Sequence, residues 1–209
     1  MSNLTVVVNP LVQLKVTLLR DVRTRPGAFR SLCREVTLLC AYEALSDLPV
    51  EAVEVQTPLE VTTKPRLAGP DPCIVGILRA GLIMVDAILE LVPNAKVGHL
   101  GLYRDHETHQ PVEYFAKLPP DIAEREVLIV DPMLATGGSA VHAISFLKLR
   151  GCTNPRLLCI IGCPEGVKAV HDAHPETRIT LAAMDERLNE NAYIVPGLGD
   201  AGDRIFGTQ

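Results

Sequence analysis

An α/β fold with a central, mainly parallel sheet flanked by helices is what this 209-residue sequence predicts. Two observations lead there. Short apolar runs such as Cys73-Ile74-Val75-Gly76-Ile77-Leu78 and Val127-Leu128-Ile129-Val130 lack polar alternation, as strands buried on both faces do. Strand and helix patterns then alternate from residue 73 to residue 184, which is the order that builds a parallel sheet through right-handed crossovers.

Asn9-Pro10 reads as an N-cap followed by proline at the first helical position, with Leu11, Leu14, Leu18 and Leu19 at helical spacing behind it. Asp21 to Gly27 is polar. A long helix follows over about Ala28 to Leu48, striped by Phe29, Leu32, Cys33, Val36, Leu39, Cys40 and Ala44. Val50 to Val61 suggests two short strands broken at Pro58, and Lys64 to Pro72 reads as a polar loop. Strands are expected at Cys73–Leu78, Lys96–Leu102, Val127–Val130, Arg156–Cys163 and Arg178–Met184. Helices are expected at Leu82–Leu91, from Ser139 onward and at Pro164–His174. Tyr103 to Phe115 outlines a hairpin arm returning through Val112 to Phe115. The tail from Asp185 is rich in Gly, Asn and Asp. With no repeat or low-complexity linker, residues 1–209 are read as one domain.

Composition excludes several classes. The chain is 47% apolar and carries a formal charge of −5, with no basic run. It is therefore globular, and nucleic acid or an anionic membrane is not an expected partner. No apolar stretch reaches the length of a membrane span, and Met1-Ser2-Asn3 does not open a signal peptide. The six cysteines form no C-x-x-C pair and sit in apolar patterns, so they read as buried thiols in a reducing cytosol. His106 and His109 lie in a polar stretch without a third ligand, which reads as a solvated loop and not a metal site.

The chemistry is expected where Val127–Val130 runs out into Asp131-Pro132-Met133-Leu134-Ala135-Thr136-Gly137-Gly138-Ser139 and a helix begins. A strand, a short loop with paired glycines and a helix N-terminus make an anion site, because the first helical N–H groups are unpaired and the dipole favours negative charge. Gly137 and Gly138 permit close backbone approach, and Thr136 and Ser139 add hydroxyl donors. The plain alternative is an ordinary strand-to-helix turn. There is no Lys for a Walker A loop and no G-x-G-x-x-G for a dinucleotide fold. Arg79 and Arg104 each follow a strand at the edge where ligands bind; taken alone, Arg79 could equally be a surface Arg, and Arg104 reads more readily as a solvated loop Arg. Gly197, Gly199 and Gly202 in the tail expose backbone for a flat ligand, although a plain C-terminal tail would also fit.

The loop resembles the phosphoribosyl-pyrophosphate (PRPP) loop of type I phosphoribosyltransferases. Together with the arm, Cys163-Pro164-Glu165-Gly166, and the tail through Ile205-Phe206-Gly207-Thr208, it resembles the uracil phosphoribosyltransferase family over most of the chain. Pro132, which departs from the general loop, is that family's own pattern.

The resemblance implies the type I phosphoribosyltransferase fold and the reaction uracil + PRPP → UMP + pyrophosphate, in pyrimidine salvage in the cytoplasm. It implies Mg²⁺ held mainly through PRPP, with no direct protein ligand. It assigns Asp131 to the ribose hydroxyls, Ala135 to Ser139 to the 5′-phosphate with Pro132, Met133 and Leu134 completing the loop, and Arg79 and Arg104 to the pyrophosphate. Main-chain groups of Ile194, Gly199 and Ala201 take uracil, with Asp200 beside base and sugar; Asp131, Asp200, Arg79 and Arg104 form the catalytic set. It implies a non-proline cis peptide in the segment corresponding to Arg79-Ala80, an arm closing over PRPP, a homodimer or higher homo-oligomer, and a GTP effector in some members. Two other readings are a phosphoribosyltransferase for a different base and a PRPP- or nucleotide-sensing regulator on the same fold.

Overall fold

A computed structural model of the chain describes residues 3–104 and 111–208. In chain order, β1 (Leu4–Val6), α1 (Pro10–Arg20) and α2 (Pro26–Ala44) precede the paired strands β2 (Val50–Gln56) and β3 (Val61–Leu67). Then come β4 (Cys73–Leu78), α3 (Leu82–Leu91), β5 (Lys96–Arg104) and β6 (Pro111–Lys117). β7 (Val127–Val130), β8 (Met133–Leu134), α4 (Gly138–Lys148), β9 (Arg156–Gly162), α5 (Pro164–Ala173) and β10 (Ile179–Met184) complete the central layers. The tail forms β11 (Arg187–Leu188), β12 (Ile194–Val195) and α6 (Ala201–Phe206).

The main sheet runs β1-β10-β9-β7-β4-β5-β6, with β8 also paired to β9. Its pairings are parallel except β5 with β6, which is antiparallel. This is the doubly covered α/β architecture expected. Alternate residues of each inner strand enter opposite cores, which is why the strands are apolar throughout. Ile74, Leu128, Val130, Leu158 and Ile160 meet α1, α2 and α3. Val75, Ile129, Leu157 and Cys159 meet α4 and α5 through Ala143, Ile144, Leu147 and Val170. Among the described residues, no helix is long and apolar enough to cross a membrane.

Several expectations need adjustment. β1 is an added edge strand, parallel to β10, too short to stand out as a pattern. On α1, Asn9 caps as expected, its side chain accepting the Leu11 N–H at 2.9 Å. The buried stripe, however, is Val12, Val16 and Leu19, while Leu11, Leu14 and Leu18 are exposed. Apolar residues lie on two sides of that helix, and spacing alone cannot say which side faces the sheet. Helix α2 begins two residues early, because Pro26 serves its first turn, and it stops at Ala44.

Strand β3 continues through Lys64-Pro65-Arg66, where the sequence reads as loop. Pro65 is tolerated there because the two-stranded ribbon leaves one edge free of ladder bonds. The arm hairpin exists as β5 with β6, with Tyr103 opposite Val112 and Arg104 opposite Pro111. Its tip, Asp105 to Gln110, which includes His106 and His109, lies outside the described residues.

Candidate active site

The sheet delivers β4, β7 and β9 side by side, so the segments after these strands converge at one edge. There a cleft of about 400 Å³ is lined by Arg79, Asp131, Met133, Ala135, Ile194, Gly199, Asp200 and Ala201, among others. Arg79, Asp131 and the tail residues Ile194, Gly199, Asp200 and Ala201, expected to contact different parts of the substrates, thus share one hollow.

Asp131 sits directly after β7, where its N–H donates to the Leu158 carbonyl at 3.3 Å. Its Oδ1 accepts the Met133 N–H at 3.4 Å. Burial pushes the carboxyl up from 3.8 to about 7, and the Met133 N–H only partly opposes this. A carboxyl displaced this far by burial in a cleft is a mark of a functional site.

The loop beyond it is fixed from behind. The Pro132 carbonyl accepts the Ile160 and Ile161 N–H groups at 3.0 Å each, and the Leu134 carbonyl accepts the Cys163 N–H at 3.2 Å. The Cys163 thiol donates to the Ala135 carbonyl at 3.2 Å. With these carbonyls turned toward β9 and α5, what remains at the start of α4 is the amide end of a helix, suited to an anion. Gly137 caps that end at φ +82. A Cβ there would meet Ala169 Cβ at 2.8 Å and the Gly166 carbonyl oxygen at 2.9 Å.

The loop residues divide by role. Pro132, Leu134 and Gly137 are buried and act by shape and backbone, whereas Thr136, Gly138 and Ser139 are partly or fully exposed at the helix start.

Arg79 follows β4. The non-proline cis bond lies between Leu78 and Arg79, one bond earlier than expected. The Arg79 guanidinium reaches across to the tail, 3.8 Å from Asp203 Oδ1 and 5.5 Å from the centre of the Phe206 ring. Gly81 closes this turn, since a Cβ there would stand 2.5 Å from the Val130 carbonyl oxygen. The backbone of Arg104 ends β5 at the arm.

Asp200 caps α6, its Oδ1 accepting the Asp203 N–H at 2.9 Å. Ile194 lies in β12, opposite Leu188.

Some contributors were not legible. Asn191, Ala192 and Tyr193 line the cleft. They sit on a turn tied by Asn189, whose Oδ1 accepts the Asn191 and Tyr193 N–H groups at 3.0 and 2.9 Å. Ala192 there takes φ 60. The cluster Asn189-Glu190-Asn191 was the available signal for a turn, but not for its place beside the cleft. Gly166 also emerges as support for the loop, because a Cβ there would stand 2.5 Å from the Ala135 carbonyl oxygen.

No thiol is poised as a nucleophile: burial pushes Cys33, Cys40 and Cys73 each up to about 12. Among the described residues, no cluster of His, Cys, Asp and Glu could by itself hold a metal ion.

The family model for uracil phosphoribosyltransferase matches residues 6–208. Curated proteins named uracil phosphoribosyltransferase from Alkaliphilus oremlandii and Listeria welshimeri are each 57% identical over 209 residues, covering 100% of both chains. One from Streptococcus pneumoniae is 56% identical over the same span. A solved structure of a protein from Aquifex aeolicus superposes with a TM-score of 0.93 at 36% identity, covering 99% of each chain. Adenine phosphoribosyltransferase from Trypanosoma brucei, at 12% identity, has a TM-score of 0.59 and covers 96% of this chain and 89% of its own, a likeness of fold. The likeness to the uracil enzymes runs the full length of the chain, through the glycine-paired loop, the displaced carboxyl beside it and the Gly-rich tail, and the chain belongs to the uracil phosphoribosyltransferase family.

Proposed function

We propose that this chain, as one catalytic domain over residues 1–209, transfers the phosphoribosyl group of PRPP to uracil and releases UMP and pyrophosphate. The observation that carries this is the shared cleft: Asp131 and Ala135 from one wall and Ile194, Gly199, Asp200 and Ala201 from the other line the same hollow. A sugar phosphate on the α4 side would then face a base held by the tail.

The chemistry needs no protein nucleophile. Breaking the bond between C1 and pyrophosphate leaves a cationic sugar and a departing polyanion, and catalysis consists of positioning and charge stabilisation. Asp131 accepts hydrogen bonds from the ribose hydroxyls when ionised. Ala135 to Ser139, with Pro132, Met133 and Leu134 setting the loop's shape, hold the 5′-phosphate. Arg79 and Arg104 take the pyrophosphate. Main-chain groups of Ile194, Gly199 and Ala201 hold the uracil edge, with Asp200 between base and sugar.

The cleft's oxygen donors, Asp131 and Asp200, are of the hard type that Mg²⁺ accepts. Mg²⁺ bound with PRPP would neutralise pyrophosphate charge.

The exposed apolar side chains Leu11, Leu14 and Leu18 on α1, with Leu59 and Val61 on the β2–β3 ribbon, support a homodimer or higher homo-oligomer. The buried free thiols fit the reducing cytoplasm. GTP is a candidate effector through the family alone.

One assay tests the reading. The protein is incubated with PRPP, Mg²⁺ and each nucleobase in turn, and UMP and pyrophosphate should appear with uracil in equal amounts. Mononucleotide formed from another base but not from uracil would assign a different substrate. No product from any base would favour the sensing-protein alternative.

A further inference from the structure

We propose that Arg20 and Asp185 are positioning residues for base recognition: a partly buried clasp that sets the main chain reading uracil without touching it. The proposal rests on the uracil reading above and adds residues to it.

Asp185 stands directly after β10, buried at 6% exposure, and its N–H donates to the Gly162 carbonyl at 2.8 Å. Its carboxylate is thereby anchored to two central strands. Arg20 is the last residue of α1. Its Nη1 donates to Asp185 Oδ2 at 2.8 Å and its Nη2 donates to Oδ1, a two-pronged pair.

Both partners then hold the same residue. Asp185 Oδ2 accepts the Gly197 N–H at 2.9 Å, and Arg20 Nη1 donates to the Gly197 carbonyl at 2.8 Å. Gly197 is thus gripped at both of its main-chain polar groups. It lies between Ile194 and Gly199, which line the cleft, and takes φ +65. A Cβ there would overlap the Ile194 carbonyl oxygen, so the turn is tight as well as tied. Neither Arg20 nor Asp185 lines the cleft.

An ion pair of this kind, with Asp185 buried and Arg20 partly exposed, is weak as a source of stability. What it supplies is direction. Two hydrogen bonds hold Gly197, one from Arg20 at the end of α1 and one to Asp185 after β10, and two more lock Arg20 to Asp185. Gly197 therefore has little freedom, and the neighbouring groups at Ile194 and Gly199 inherit that placement. Misplacing a reacting partner by about 1 Å can cost on the order of 10²-fold in rate.

The phosphate loop is fixed by other partners, β9, Cys163 and Gly166, so loosening the clasp should spare PRPP. Steady-state kinetics of the full chain, wild type against Arg20→Lys and Asp185→Asn, provide the test. Lys carries the charge but cannot span Asp185 and Gly197 with a planar fork. Asn retains an acceptor for the Gly197 N–H but loses the charged pair. In both variants KM for uracil should rise roughly tenfold or more while KM for PRPP stays within about twofold. An unaltered uracil KM, even with a lower Tm, would show the clasp to be structural only, as would a parallel rise of both KM values. Absence of uracil turnover by the wild type would overturn the enzyme reading, and the clasp with it.

Discussion

One wall of the cleft, Asp131 to Ser139, is built from contiguous residues that follow a central strand and start a helix, braced by the next strand and helix along. The opposite wall, Ile194 to Ala201, is tied through Arg20 and Asp21 to the end of α1, far away in sequence. Gly197 is gripped from Arg20 and Asp185. The Leu198 carbonyl accepts Arg204 Nη1 at 2.8 Å, and Arg204 Nη2 donates to the Asp21 carbonyl at 2.7 Å. The Arg204 guanidinium also lies 4.4 Å from the centre of the Phe29 ring. With the roles proposed above, the first is a phosphate wall, a local device that a motif can describe, and the second a base wall, a tertiary assembly in which the chain's two ends meet. Phosphate is the same group in every PRPP, so a local backbone cradle suffices. A base must be distinguished by its edge, which requires backbone groups fixed from several directions.

The largest effect should come from challenging the base wall with the wrong edge. Uracil offers an acceptor at O4 and a donor at N3, and cytosine reverses both. Backbone groups set for uracil would then be desolvated and unpaired, and a hydrogen-bonding site rejects such an analogue by roughly 10⁴-fold in kcat/KM. A competition assay with uracil, 5-fluorouracil and cytosine at matched PRPP should show 5-fluorouracil accepted and cytosine refused. Cytosine turnover within about tenfold of uracil would mean that the tail does not read the base through its main chain.

Next comes the phosphate wall. Asp131→Asn keeps the shape and removes the charge, and kcat should fall by about 10²-fold or more with the protein still folded. Normal turnover in a well-folded variant removes Asp131 from the chemistry.

Gly166→Ala sharpens the same side without touching a charge. The new Cβ meets the backbone carbonyls of Ala135 and Leu134, which cannot swing away as a side chain could. A loss of about 1–3 kcal/mol in stability is expected, with KM for PRPP raised more than KM for uracil. Equal changes in the two KM values would deny the division between the walls. On the opposite wall, Arg204→Met should leave the carbonyls of Leu19, Leu198 and Asp21 short of a donor and cost about 2 kcal/mol in chemical denaturation.

The mildest expected effect is on pH dependence. The Asp131 carboxyl is raised from 3.8 to about 7, so its protonated form favours the fold. That contribution to stability is present below about 3.8 and is lost as pH rises through about 7. With the role proposed for Asp131, in which the ionised form accepts the ribose hydroxyls, activity runs the other way: kcat/KM for PRPP should fall as pH drops below about 7. In Asp131→Asn the stability slope across this range should flatten, and an unchanged slope would assign it to another group.

The inner strands and most helices could be read from the chain alone because their signals are local. Cys73–Leu78, Val127–Val130 and Leu82–Leu91 appear with the bounds their apolar patterns suggested. The strand-loop-helix turn proposed to hold phosphate was legible for the same reason: Asp131, the paired glycines and the helix start lie within a few residues. The role proposed for the tail, holding the base, rests on family likeness, and its Gly-rich composition said nothing of β11, β12 or α6.

Only the tertiary structure decided which side of α1 is buried, since Val12 and Leu11 are both apolar and the choice rests on what the sheet presents. It also decided that the cis bond precedes Arg79, that Asn191 to Tyr193 reach the cleft, and that Arg20, Asp185 and Arg204 hold the base wall. An Arg at a helix end or an Asp after a strand is common, and its hydrogen-bond partners lie as far as 177 positions away along the chain. Those partners become neighbours only when the sheet brings the end of α1 beside the tail, so no local pattern of residues can encode them.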